Sequence, residues 1–362
     1  MLKLEFYKLF CKKKILIVLL VGIAAEIFLS MQSQSVMFEG FNLKVYRFYM
    51  EELQGEYTAE KQAWIEREYE RLQNLISDEE LYEEQYKNNE IGAEVYRKIS
   101  GDIKSAKNRI RTVEYIVEKS SYYSGVDGTP EYFYDIGIKD YIENMKMDVV
   151  MLVILILLIA PVFTEDYSCG TVPMIRSSRY GTGRLFYNRL AVVLTISAGI
   201  GFLFPVLEFV TKYVKFDLGN LNADIRSLTV MENSNLDMSV MQYICLTVVT
   251  RAFFAVVFGV FVMWVAVLSH RNIVTYVVTL GAVYIPYFLY SYMNRVLQDL
   301  MMCKGLGGFD NFKEYHVMAG IPDVWFGGMV YGILAGGMIW SCGRCVGEKE
   351  KGCFEVVDEV VK

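Results

Sequence analysis

The sequence predicts an all-α polytopic membrane protein with six transmembrane helices and an inserted extracellular helical-hairpin domain. Apolar residues make up 54% of the 362 residues and are concentrated in long runs, which is typical of membrane proteins. Charged residues still contribute 22%, so a fully embedded bundle is excluded and a sizeable part of the chain must face water. The polar segment over residues 32–147 meets that requirement, and its apolar residues recur with helical spacing.

Six apolar runs are each close to the roughly 20 residues that cross about 30 Å of hydrocarbon. They cover residues 15–31, 148–163, 190–210, 243–268, 273–293 and 325–342. The first run follows a basic stretch, as in a secretory signal. No small-x-small cleavage site comes after it, so we interpret it as an uncleaved span.

Basic residues near the short loops predict the orientation of these spans. Five lysines precede the first run, and four arginines lie in the loop over 164–189, which places both segments in the cytoplasm by the positive-inside rule. An even number of spans puts both termini on the same side. We therefore expect a multi-pass protein of a bacterial plasma membrane, with a cytoplasmic amphipathic helix over 1–14 and a cytoplasmic tail over 343–362.

The segment over 32–147 is then extracellular, and its pattern predicts two paired helices. Apolar residues at steps of three and four over 91–117 indicate one continuous amphipathic helix, and a second stripe covers 53–76. The two are expected to pair as an antiparallel hairpin, with Ser77 and Glu80 as a capping box between them. The hairpin could cap a pathway, recognise a peptide or engage a partner protein, and its stripes do not separate these alternatives.

Three ionisable residues fall inside the predicted spans, toward the outer half of the membrane. They are Glu26, Glu208 and Arg251. A charge at the centre of a membrane helix costs about 2.5 to 3.5 kcal/mol on insertion scales, so each needs a partner or water. One interpretation is an interhelical pair of Arg251 with Glu26 or with Glu208, and the other is a polar lining for a substrate path.

Two further patterns lie in the last span. Gly328, Gly332 and Gly336 share one helix face and would allow close approach of another helix, either within the chain or in a dimer. Cys342, Cys345 and Cys353 lie at its cytoplasmic end. They could bind a metal or act as a redox pair, although reduced thiols or a lipidation site are simpler interpretations.

Several function classes find no support in the sequence. The net charge of −6 argues against a nucleic-acid binder, and no G-x-x-x-x-G-K-[ST] loop is present to hold nucleotide phosphates. The two histidines, His270 and His316, are predicted on opposite sides of the membrane. We therefore predict no catalytic, metal or cofactor-binding residues and no enzyme activity in this chain, so any ATP and Mg²⁺ must be bound by a partner.

The loop over 164–189 connects two apolar runs and contains acidic residues and arginines. Pro173 suits a helix start and Gly181 suits a stop, which predicts a short helix against the membrane over 172–180. The simpler interpretation is a solvated cytoplasmic loop whose arginines set the topology.

The residues of this loop resemble the pattern of type-2 ABC exporter permeases. In that family E-x4-G-T after the second span is followed by S-x-R and a small-x-x-aromatic-lysine segment. Here "EDYSCGT" supplies Glu165, Gly170 and Thr171, Arg179 follows, and "GRLFYNRL" has Asn188 and then Arg189 where the family has its lysine. The amphipathic segment over 1–14 and a membrane-dipping outer segment over 294–324 are similar to the family as well.

The resemblance implies a permease subunit that pairs with a second copy or a homologue in the lipid bilayer. Two ABC ATPase subunits, which bind ATP and Mg²⁺, would dock on its cytoplasmic loops. The coupling residues would then be Glu165, Gly170, Thr171, Arg176 and Arg179. A mechanotransmission-type exporter has only four spans, and it would be favoured if 273–293 or 325–342 did not cross. The alternative from a different class is a membrane-anchored sensor or assembly factor whose outer domain binds a ligand or partner without transport.

Overall fold

The computed structural model describes residues 5, 7, 15–32, 38–126, 128–171, 182–216, 218–308, 317–318 and 321–360. The helices in chain order are α1 (Ile15–Gln32), α2 (Leu43–Leu53), α3 (Ala59–Ser77), α4 (Glu79–Lys87), α5 (Ala93–Tyr123), α6 (Ile136–Glu143), α7 (Val149–Ser168), α8 (Thr182–Phe216), α9 (Val240–Ser269), α10 (Asn272–Leu289), α11 (Arg295–Asp299), α12 (Met302–Gly307) and α13 (Asp323–Val360). Two short antiparallel pairs join β1 (Gly55–Glu56) to β2 (Glu131–Tyr132) and β3 (Val317–Met318) to β4 (Ile321–Pro322).

The chain divides into two compact units. The first consists of Met1–Ser33, Asn144–Lys215 and Ile244–Lys362, and the second consists of Gln34–Glu143 and Phe216–Tyr243. The first unit therefore contains the apolar helices, and the second contains most of the charged ones.

Five helices of the first unit are long and apolar enough to cross a membrane: α7, α8, α9, α10 and α13. α1 is a shorter apolar helix. This composition is that of an α-helical, multi-pass membrane protein. The amphipathic helix predicted over 1–14 lies outside the described residues, apart from Glu5 and Tyr7.

Several of these helices extend beyond the apolar runs that predicted them. α7 continues to Ser168 instead of ending at 163, α8 begins at Thr182 instead of 190, and α13 continues to Val360 through most of the predicted tail. The hydropathy pattern detects only the part of a helix that suits hydrocarbon, whereas its backbone hydrogen bonds continue into polar sequence. The loop predicted over 164–189 is correspondingly shorter.

Small residues bring α8 and α9 together inside the first unit. A Cβ added at Gly201 of α8 would lie 2.5 Å from the Cβ atom of Ala255, and one added at Gly259 of α9 would lie 2.9 Å from the Cβ atom of Ser197. Both distances are too short for an ordinary side chain, so glycine is required at both positions. Such small residues let membrane helices pack backbone to backbone.

The second unit is built on the pairing of α3 with α5. Ile65 and Leu72 of α3 are buried against Ala106 and Val113 of α5, and α2 adds its own apolar face to the same core. The continuous helix predicted over 91–117 is confirmed as α5. Its apolar stripe is the internal surface of this core.

The predicted capping box is wrong. Ser77 is the last residue of α3, and its hydroxyl donates to the Asn74 carbonyl at 2.8 Å. Asp78 precedes α4 and makes no side-chain cap bond. Because a single residue separates the two helices, Ser77 closes one helix and cannot begin the next.

The second unit also contains residues that the sequence placed in a loop between two spans. Segment Phe216–Tyr243 carries Ser227, whose hydroxyl accepts from the Glu131 backbone N–H at 2.9 Å, while the Tyr123 hydroxyl donates to the Ser227 carbonyl at 2.8 Å. The predicted domain over 32–147 is therefore too narrow. The segment Phe216–Tyr243 is far from residues 32–147 in the sequence, so local periodicity cannot predict that it belongs to the same unit.

A buried ion pair lies at one end of this core. Lys119 Nζ lies 2.7 Å from Asp135 Oδ2 and 3.1 Å from the Tyr46 hydroxyl, and the same hydroxyl donates to Asp135 Oδ1 at 2.6 Å. Both charged side chains are at most 1% exposed. Burial lowers the pKa of Lys119, opposed by the neighbouring Asp135 carboxylate. The mutual bonds satisfy both charges away from water.

Candidate functional site

The polar residues of the first unit gather at opposite ends of its helices. At one end the carboxyl terminus of α7 meets the amino terminus of α8, and we call this the junction cluster (Thr164, Asp166, Tyr167, Arg189, His270 and Asn272). At the other end the amino terminus of α7 lies near the carboxyl termini of α1 and α8. We call that site the carboxylate pocket (Glu26, Asp148, Glu208 and Arg251, with the residues around them).

α7 ends in a glycine-dependent stop. Gly170 has a φ of +66°, which favours glycine, and its N–H donates to the Tyr167 carbonyl at 3.4 Å. The Thr171 N–H donates to the Asp166 carbonyl at 3.0 Å. This pair of bonds is the Schellman motif, which satisfies the last carbonyls of a helix. The predicted Gly170 and Thr171 therefore end α7 at a fixed point.

The junction cluster is held by a largely buried arginine. Arg189 of α8 forms an ion pair with Asp166 in the last turn of α7, and its Nε lies 3.7 Å from Glu5 Oε2. Its guanidinium also lies 5.9 Å from the Phe163 ring centroid. A buried guanidinium with planar, multiple donors suits such a convergence of carboxylates. The ion pair thus joins α7 and α8, the two helices that flank the segment over 169–181.

The turn between α9 and α10 joins the same cluster. His270 has a φ of +56°, and its ring stacks on Tyr167 with centroids 3.9 Å apart. The Thr164 hydroxyl hydrogen-bonds the Asn272 side chain and also donates to the Ala160 carbonyl at 2.9 Å. The end of α7 is therefore fixed by α8 on one side and by this turn on the other.

The predicted coupling residues are only partly within the described chain. Glu165 is exposed on the last turn of α7, next to Asp166, which points inward to Arg189. Arg176, Arg179 and the short helix predicted over 172–180 lie outside the described residues. The sequence prediction gave no role to Asp166. A signal was present, because Asp166 and Arg189 are opposite charges at the facing ends of consecutive apolar helices.

In the carboxylate pocket the arginine pairs with the second of its two predicted partners. Arg251 Nη1 lies 2.5 Å from Glu208 Oε2, and the Arg251 side chain is 1% exposed. Glu26 is also buried, and its Oε1 accepts from the Ser30 hydroxyl at 3.3 Å. All three intramembrane residues predicted from the sequence line one pocket of about 270 Å³.

A third carboxylate residue, which the sequence analysis did not predict, joins this pocket. Asp148 precedes α7, and its Oδ1 accepts from the Met151 N–H at 2.8 Å as the helix N-cap. Its electrostatic neighbours are Glu26, Glu208 and Arg251. In the sequence Asp148 lies at the boundary of a predicted span. An acidic residue at a helix start is an ordinary cap, so its position alone does not indicate a polar site.

A buried lysine ties the segment predicted as membrane-dipping to the start of α13. Lys304 Nζ lies 2.6 Å from Asp299 Oδ1 and 2.9 Å from Asp323 Oδ2, and all three side chains are at most 8% exposed. Gly308 ends α12 with a φ of +70°, and a Cβ there would lie 3.0 Å from Arg251 Cδ. Within 294–308 this segment therefore packs on α9 over the Arg251 side chain.

The predicted glycine face of α13 is not a tight contact within the chain. Cβ atoms at Gly328 and Gly332 would lie 3.9 and 3.8 Å from the Phe253 ring, which is ordinary packing, and one at Gly336 would meet nothing within 4 Å. Cys342 is buried and Cys345 is partly exposed. Among the residues that the structure describes, no group of three His, Cys, Asp or Glu residues is arranged to hold a metal ion.

Comparisons with protein-family models, with curated proteins and with solved structures found no match to this chain.

Proposed function

We propose that this chain is the transmembrane permease subunit of an ABC transporter, which exports a substrate across a bacterial plasma membrane. A separate ATPase subunit binds ATP and Mg²⁺ and drives the transport, so this chain is not itself an enzyme. The observation that carries the proposal is the junction cluster. The residues that resemble the exporter pattern begin where α7 is stopped at Gly170 and tied to α8 through Asp166 and Arg189.

The junction cluster suits the transmission of force. A segment that is fixed at its root cannot move without moving the helices that hold it. An ATPase that grips the segment over 169–181 would therefore displace α7 and α8 together and bias the bundle between two arrangements. Glu165 is exposed at this root, where a partner protein can reach it. Arg176 and Arg179 belong to the same gripped segment.

The proposed topology has six spans, with α1 as the first and both termini in the cytoplasm. The second unit, which consists of Gln34–Glu143 and Phe216–Tyr243, is the extracellular helical domain, and a second copy or a homologue completes the pathway. The carboxylate pocket then lies toward the outer side, opposite the junction cluster. Polar residues inside a membrane domain often mark a substrate path, which supports transport over simple anchoring.

Co-purification with an ATPase tests the proposal. The tagged chain is purified in mild detergent together with Walker-type ATPases from its host, and ATP hydrolysis is measured with and without the chain. We expect one ATPase to co-purify and to be stimulated. Glu165→Lys and Arg179→Ala should abolish stimulation without loss of the protein, whereas Glu94→Lys and Arg97→Ala, exposed on α5, should not. If no ATPase associates, the proposal is wrong.

Cysteine labelling tests the topology independently. Cys169 is exposed beside Gly170, so a variant that keeps only this cysteine reports on the junction cluster. A membrane-impermeant maleimide should label it only after permeabilisation. Ser100→Cys, at an exposed position of α5 in a cysteine-free background, should be labelled in intact cells. Labelling of Cys169 in intact cells would exclude a cytoplasmic coupling segment.

One observation favours a membrane sensor as the second candidate. The second unit has its own buried core and a polar surface pocket lined by Tyr122, Arg226 and Glu232 among others. Such a unit could bind a ligand or partner without any transport. A sensor would keep its ligand affinity and its signalling after Glu165→Lys, and it would associate with no ATPase.

A further inference from the structure

The carboxylate pocket contains a buried carboxylate oxygen that receives no hydrogen bond from the described residues. Asp148 is 8% exposed, and its Oδ1 is engaged as the N-cap of α7. Its other oxygen, Oδ2, has no donor among the residues that the structure describes. The neighbouring Glu26 carboxyl lies within hydrogen-bond reach of Asp148, but it donates only when it carries a proton and is itself an acceptor when ionised. A buried charged oxygen without a donor is unfavourable, and an N–H group of a ligand would satisfy it.

The charges around this oxygen point to a cation. The pocket is lined by three carboxyl groups, those of Glu26, Asp148 and Glu208. The two buried cations that line it are Lys212 and Arg251, which are 2% and 1% exposed. With every group ionised, one negative charge remains in excess. Lys146 also lines the pocket, but it is exposed to solvent and so is a weak counter-charge. One added positive charge would balance the buried groups.

The rest of the lining indicates what kind of cation fits. Apolar side chains of Leu29, Met147, Val149 and Val150 surround the polar groups. A bare inorganic ion would gain nothing from these side chains, whereas the alkyl or aromatic body of an organic amine would bury apolar surface against them. A primary ammonium also carries several N–H donors, which suits an acceptor pair such as Asp148 Oδ2 and Glu26.

We propose that the carboxylate pocket binds the protonated amino group of an amphipathic amine, and that organic monocations are the substrate class of the exporter. The second part rests on the proposed function, whereas the binding site itself does not. Asp148 and Glu26 hold the ammonium group, Glu208 remains paired with Arg251, and the apolar lining holds the body of the amine.

Binding of a fluorescent amine to the purified full chain tests this proposal. The probe is dansylcadaverine, a primary amine with an apolar fluorophore, and its N-acetylated derivative has the same body without the charge. We expect saturable binding of the amine and at least tenfold weaker binding of the acetylated compound. Asp148→Asn should also weaken amine binding at least tenfold. Asparagine is as good an N-cap as aspartate, so this variant removes the charge and keeps the cap of α7.

Two further variants complete the test. Glu26→Gln should weaken binding as Asp148→Asn does, and Asp102→Asn, which neutralises an exposed carboxylate on α5, should leave binding unchanged. Each variant is compared by its melting temperature, so that loss of folding is distinguished from loss of binding. Equal affinity for the charged and the acetylated probe would overturn the proposal. So would unchanged affinity in folded Asp148→Asn and Glu26→Gln variants.

The outcome is separable from that of the transport proposal. If the amine binds but no ATPase associates with the chain, the cation site stands and the exporter function falls. If an ATPase is stimulated by the chain but no amine binds, the exporter function stands and the substrate class is wrong.

Discussion

Arg189 of α8 and Asp166 in the last turn of α7 form a largely buried ion pair, so two consecutive membrane helices are joined where the chain leaves the apolar phase. The pair lies beside the Gly170 stop and in reach of Glu5. The pair therefore fixes the two helices from which the proposed coupling segment extends.

Removing one partner of the pair should destabilise the chain. Arg189→Ala leaves Asp166 without its counter-charge, and we expect a loss of about 3 kcal/mol, as when a buried pair is broken. Arg184→Ala, exposed one turn earlier in α8, should cost far less. A double-mutant cycle with Asp166→Asn, followed by thermal melting in detergent, should give a coupling above about 1 kcal/mol. Additive effects would show that the pair does not hold the helices.

Exchanging the charges of Arg251 and Glu208 should restore folding but not transport. Either Arg251→Glu or Glu208→Arg alone should reduce the amount of folded protein, because each leaves like charges together in a low-dielectric site. The exchange of both should restore folding. Transport should remain lost in the exchanged variant if the pair lines the path, which uptake into inverted vesicles would measure. Full transport by the exchanged variant would assign the pair a purely structural role.

The two kinds of glycine contact should be separable by substitution. Gly201→Leu should lower the melting temperature strongly, because no side chain fits between α8 and α9 at that point. Gly336→Leu should leave the monomer stable, since nothing in the chain lies within 4 Å of a Cβ there. If α13 is the dimer contact, Gly336→Leu should instead convert dimers to monomers in size-exclusion chromatography with light scattering. An unchanged melting temperature in Gly201→Leu would contradict the close packing.

Breaking the buried ion pair of the second unit should lower the free energy of unfolding more than breaking an exposed pair. Lys119→Met leaves the Asp135 carboxylate buried without its counter-charge, although it still accepts from the Tyr46 hydroxyl, and we expect a loss of about 3 kcal/mol or more in the free energy of unfolding. Lys107→Met removes the exposed pair with Glu79 and should cost at most about 1 kcal/mol. Chemical denaturation, followed by the circular dichroism of each variant, measures both. Equal losses would contradict the role of burial.

The tyrosine-rich core should lose stability at alkaline pH. Burial raises the pKa of Tyr132 to about 12 from an ordinary 10.0, so the folded chain keeps a proton that the unfolded chain releases. Its contribution is fully present below pH 10.0 and is lost as pH rises from there to about 12. Phenolate absorbance during denaturation should show this window. Tyr132→Phe should reduce the loss over that window, whereas Tyr86→Phe, exposed on α4, should not.

Features that depend on residues close together in the chain can be predicted from the amino-acid sequence alone. The apolar helices and the continuous helix α5 follow from runs and periods of three and four, because hydrocarbon and a buried helix face each impose a local pattern. The same reasoning found Glu26, Glu208 and Arg251, since charge inside an apolar run is visible at once. It could not choose between the two acids as partner for Arg251.

Contacts between residues far apart in the chain are visible only in the folded structure. It paired Arg251 with Glu208, brought Asp148 into the same pocket, and joined Asp166 to Arg189. It also moved Phe216–Tyr243 into the second unit through bonds such as those of Ser227. These contacts depend on how helices pack against each other, through small residues such as Gly201 and Gly259, and that packing has no period in the sequence.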